Sequence, residues 1–89
     1  MKLTYISTPG HGYLSVNKDL IEKLGLIDKI TSCSGMDANR VYLEEDCDLA
    51  ALFAACDSQG IKVELQTKHT DRRSPIRSYA TYRAGAVHA

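Results

Sequence analysis

Leu49, Leu52, Phe53 and Cys56 recur at i, i+3, i+4 and i+7 in a segment closed by Gly60. That spacing is the apolar stripe of a helix and demands a partner surface. The next residues, Ile61-Lys62-Val63-Glu64-Leu65-Gln66, switch to strict alternation, the pattern of a strand with one face on a core and one in water. A helix feeding directly into such a strand predicts a sheet that the helix covers.

Further elements follow from local chemistry. Lys2–Thr8 and Tyr13–Val16 are rich in β-branched and aromatic residues and predict two strands. Between them, Pro9 presets φ for a turn and Gly10 supplies the positive φ that the next position of a type II turn requires. The Thr8-Pro9-Gly10-His11-Gly12 stretch lacks the spacing and the Lys-Ser/Thr pair of a phosphate loop. Asn17 is placed as a helix N-cap, with Val16 and Ile21 at the spacing of a hydrophobic staple, and the helix is expected over Lys18–Leu24. Lys29–Ser34 reads as a weak strand and Asn39–Glu45 as a stronger one, joined through the turn-forming Gly35–Asn39. Thr70–Pro75 reads as a basic loop, Tyr79–Arg83 as a last short strand, and Ala84–Ala89 as a fraying end. The order β-β-α-β-β-α-β predicts one α+β domain over residues 1–89. It has two layers: a mostly antiparallel sheet of about five strands and two helices on one face.

With 89 residues, the chain buries about 60–65% of its unfolded surface, which leaves little volume for a deep pocket. Its zero net charge hides an asymmetry: residues 1–60 sum to −4 and residues 61–89 to +4. The two halves either build a dipolar surface that selects a partner or pair with each other. No apolar run is long enough to span a bilayer. Three cysteines, an odd number, fit free thiols and a cytoplasmic setting.

The acids Glu44, Glu45, Asp46 and Asp48 lack the spacing of a calcium loop. They read either as charges that complement the dipole of the following helix or as a patch for a basic partner. Asp46 or Asp48 is the expected cap of that helix. The cysteines Cys33, Cys47 and Cys56 have no Cys-x-x-Cys spacing, so neither a metal nor any other cofactor is expected, and Cys56 on the stripe reads as a small core hydrophobe. Arg72, Arg73 and Arg77 with Tyr79 form the strongest interaction candidate, able to grip phosphates or carboxylates and to stack on rings. The bland reading of the same segment is a solvated loop. His11, exposed in a glycine-rich turn, has no local partner to orient it as a base.

Three stretches, TPGHGYLSV, VYLEEDCDLAAL and KHTDRRSPIRSYATYR, resemble a group of small uncharacterised proteins of bacteria, their phages and plasmids. The group shares a Gly-His-Gly-aromatic turn, a Tyr-Leu-Glu-Glu-Asp-Cys-Asp block and a Ser-Pro-Ile-Arg-x-Tyr block. The resemblance covers most of the chain, implies a cytosolic and viral context, and carries over no catalytic residue. By analogy with small phage proteins that block host defences, it implies a non-enzymatic inhibitor of a CRISPR-like nucleic-acid-handling complex. Glu44, Glu45, Asp46 and Asp48 would face a basic channel, and Arg72, Arg73, Arg77 and Tyr79 would give a second contact. Two other readings stand beside it. One is a nucleic-acid-binding module using the arginine loop with Tyr79 and Tyr82. The other is an enzyme using His11 with Cys33 or His69, which a histidine, a thiol and a carboxylate converging in a closed cleft would favour. An exposed sheet face or edge would leave room for a homodimer.

Overall fold

Pro9 and Gly10 form the two-residue turn of a hairpin between β1 (Lys2–Thr8) and β2 (His11–Asn17), in which Thr8 lies opposite His11. Gly10 takes a φ of +84°, the conformation the turn chemistry called for. The hairpin and all that follows come from a computed structural model that describes residues 1–69 and 79–87. Asn17 ends β2 and caps α1 (Lys18–Lys23), its side chain accepting the Leu20 N–H at 2.8 Å. A turn-rich segment leads to β3 (Gly35–Met36), which pairs back on β4 (Arg40–Glu44). Asp37 shapes this second hairpin by accepting the N–H groups of Asn39 and Arg40. Then come α2 (Leu49–Ser58), β5 (Glu64–His69), β6 (Ala80–Thr81) and a 3₁₀ turn at Ala84–Ala86.

Among the described residues the strands form one mixed six-stranded sheet in the order β5-β1-β2-β4-β3-β6. The domain is therefore α+β with two helices, as expected, but the sheet is wider than five strands and β5 pairs parallel to β1. The parallel pair follows from connectivity. β4 already runs in the same sense as β1, and α2 carries the chain from β4 across β2 and β1 to the far edge. Returning to the sheet by a helical crossover gives a parallel strand. α1 makes the opposite crossover from β2 to β3, and the right-handed preference sends both helices to the same face.

One buried cluster matches that geometry. It joins Leu3, Leu14, Val16, Val41 and Leu43 of the sheet with Ile21 of α1, Leu24 at its C-cap, and Leu52 and Cys56 of α2. Leu14, Val16, Ile21, Val41, Leu43 and Leu52 have no exposed surface.

Other expectations change. Lys29–Ser34 is not a strand, because its backbone turns to meet Asp48, and the β3 pairing begins only at Gly35. Ile61 and Val63 pack against the core before β5 starts, whereas every residue of β5 is exposed, including Leu65 at 45%. The alternation thus does not bury one face of that strand, since the edge position lies beyond the cover of the helices. Residues 84–87 do not fray. Val87 is buried, and Lys18 donates to the Ala86 carbonyl.

Candidate functional site

β2 presents His11 and Tyr13, and β4 presents Tyr42 and Glu44, on the side of the sheet opposite the helices. At the end of β4 the chain turns through Glu45, Asp46 and Cys47 before α2. Against this turn lies the Thr31–Ser34 loop, and the junction is held by Asp48.

Asp48 occupies the N-cap position of α2 but makes no side-chain cap bond. It is 1% exposed. Its Oδ1 accepts the Thr31 N–H at 3.0 Å, and its Oδ2 accepts the Thr31 hydroxyl at 2.9 Å and the Ser34 hydroxyl. Ser34 Oγ in turn accepts the Glu44 N–H at 3.0 Å. A carboxylate at a helix N-terminus with three donors is well compensated for burial. Asp48 is thus an internal clamp rather than a member of an exposed acidic patch.

The clamp leaves an open cleft of about 500 Å³ lined by His11, Tyr13, Cys33, Glu44, Cys47 and Tyr79, among others. Glu44 is largely buried, and its Oε2 accepts the Asp46 N–H at 3.0 Å. Its Oε1 lies 3.9 Å from His11 Nδ1, beyond hydrogen-bond reach. The Cys47 thiol is pushed up to about 12, first by the Cys33 side chain beside it and then by Glu44. Cys47 therefore keeps its proton at neutral pH, the opposite of what a nucleophilic thiol requires. His69, at the end of β5, does not line the cleft.

Of the predicted contact residues, Glu45 and Asp46 are exposed, Glu44 and Asp48 are buried, and Tyr79 is half-buried against Tyr42 with ring centroids 5.1 Å apart. Arg72, Arg73 and Arg77 lie outside the described residues. Tyr82 is a core residue, 5% exposed, whose hydroxyl donates to the Ile27 carbonyl. Glu45 also accepts the Tyr5 hydroxyl at 2.7 Å, and that hydrogen bond, with burial, pushes the Tyr5 phenol up to about 12. Gly12 sits beneath this pair, where a Cβ would run into the Tyr5 hydroxyl and the Glu45 carboxylate. The second glycine of the His11 turn thus serves close packing against Tyr5 and Glu45.

Sequence reasoning missed the meeting of Cys33 with Cys47 and the role of Thr31 and Ser34. The only local signal was the pairing of two hydroxyl residues, Thr31 and Ser34, with an Asp at a helix start.

Among the described residues, no group of three or more His, Cys, Asp or Glu side chains is placed to hold a metal ion. No helix among them is long and apolar enough to cross a membrane. No protein-family model, curated protein or solved structure matches the chain.

Proposed function

We propose that this is a non-enzymatic interaction protein that works by surface contact with a protein partner. Its narrower role is that of an inhibitor of a host defence complex, the role its sequence resemblance suggests. The observation that carries the reading is β5. In the described sheet this strand lies at the edge, paired only with β1, and all six of its residues are exposed. An edge strand of that kind offers main-chain donors and acceptors to an incoming segment, while its side chains set specificity. It runs into the segment that carries Arg72, Arg73 and Arg77, so strand and charge form one continuous stretch of chain. Glu45 and Asp46 supply exposed charge of the opposite sign on the turn before α2.

The cleft chemistry supports contact over catalysis, since among the described residues no carboxylate hydrogen-bonds His11, and Cys47 holds its proton. The nucleic-acid reading loses its stacking platform. Tyr82 is buried, and Tyr79 already packs on Tyr42.

The test is capture of a partner from the native host, followed by amide hydrogen exchange of the purified complex. Binding is expected to protect the amides of Glu64–His69. Reversing charge at Glu45 and Asp46, or at Arg72 and Arg73, is expected to weaken affinity by at least about tenfold, ~1.4 kcal/mol. Unchanged exchange along β5 together with unchanged affinity in both variants would remove the proposal. Salt-sensitive binding to random oligonucleotides would favour the nucleic-acid module instead.

A further inference from the structure

Cys33 and Cys47 are each one residue from a member of the Asp48 clamp: Cys33 precedes Ser34, and Cys47 precedes Asp48 itself. The Cys33 N–H donates to Thr31 Oγ1, and the Cys47 N–H to the Glu44 carbonyl. The Asp48 bonds to Thr31 and Ser34 tie the two segments to one another, while both thiols are exposed and line the same cleft. Such a pair is pre-positioned for reaction, with most of the ordering already supplied by the fold. Cys56, buried at 1% in the core, is not part of it.

We propose that Cys33 and Cys47 are a thiol-modification site that closes reversibly to a disulfide, with a small-molecule disulfide such as oxidised glutathione as the oxidant. The Cys33 thiolate attacks one sulfur of oxidised glutathione. The glutathione S–S bond breaks, and one glutathione leaves as a thiolate that takes up a proton. With the Cys33 thiol consumed, the first cause that held the Cys47 proton is removed; Cys47 loses that proton to solvent and attacks the Cys33 sulfur of the mixed disulfide, expelling the second glutathione. Two protein thiols are oxidised, one glutathione disulfide is reduced to two thiols, and no other reactant is needed. Cys33 is the first attacker because the Cys33 side chain and Glu44 both act to hold the Cys47 proton. The bond would staple the Thr31–Ser34 loop to the turn between β4 and α2 and so fix one wall of the cleft.

The test equilibrates the full chain in glutathione buffers, traps free thiols by alkylation and maps tryptic peptides. Peptide 30–40 contains Cys33, and peptide 41–62 contains both Cys47 and Cys56. The expected product is a cross-link between them that persists in Cys56→Ala. It is lost in Cys47→Ser, where glutathione remains on Cys33 instead. Its formation constant in the native protein is expected to exceed that in the urea-unfolded chain by at least about tenfold. Stable glutathione adducts on both exposed cysteines without a cross-link, or a cross-link no more favourable than in urea, would overturn the proposal.

Discussion

Replacing Asp48 with alanine removes the acceptor for the Thr31 N–H, the Thr31 hydroxyl and the Ser34 hydroxyl at once. A hydrogen bond to a charged group contributes about 1.5–3 kcal/mol net. The three share one carboxylate, so their losses are not additive, and about 3–4 kcal/mol is expected in total. A chain of this size has about 4–13 kcal/mol of stability to lose. At a urea slope of about 1–1.5 kcal/mol/M, the unfolding midpoint should fall by about 2–4 M. Asp48→Asn keeps the shape and one carbonyl acceptor and should cost about half as much. Urea unfolding followed by circular dichroism measures both. A midpoint shift below about 0.5 M for Asp48→Ala, with an unchanged slope, would refute the clamp and restore Asp48 to the partner-facing acids.

The Tyr5 phenol should fall from about 12 toward its ordinary value near 10 in Glu45→Gln, read by ultraviolet titration of the tyrosines against wild type; no change would mean that the 2.7 Å bond does not form in solution. Asp37 has its pKa lowered, first by the Asn39 N–H, so its contribution to stability is complete above the unfolded value near 4 and is lost as pH falls through the folded value. The stability gap between wild type and Asp37→Asn should therefore stay constant from neutral pH to about pH 4 and shrink below it, as followed by urea midpoints. Leu52→Ala, at a fully buried position facing the sheet, should cost about 2–5 kcal/mol in the same assay.

The sequence by itself determined what depends on neighbours a few residues apart. The Pro9-Gly10 turn, the Asn17 cap with its Leu20 N–H, and the stripe from Leu49 to Cys56 all depend on residues seven or fewer apart, and all three appear in the structure. Only the tertiary structure decided features that depend on long loops. β5 reaches β1 across some sixty residues, so its parallel register and its exposed edge depend on where α2 crosses the sheet rather than on its own alternation. Asp48 looked like one acid among four until Thr31 and Ser34 arrived from seventeen and fourteen residues away to bury it. Cys33 and Cys47 became neighbours through the same closure. Local propensity is written in short spacings, whereas burial and side-chain partnership depend on which distant segments the core brings together.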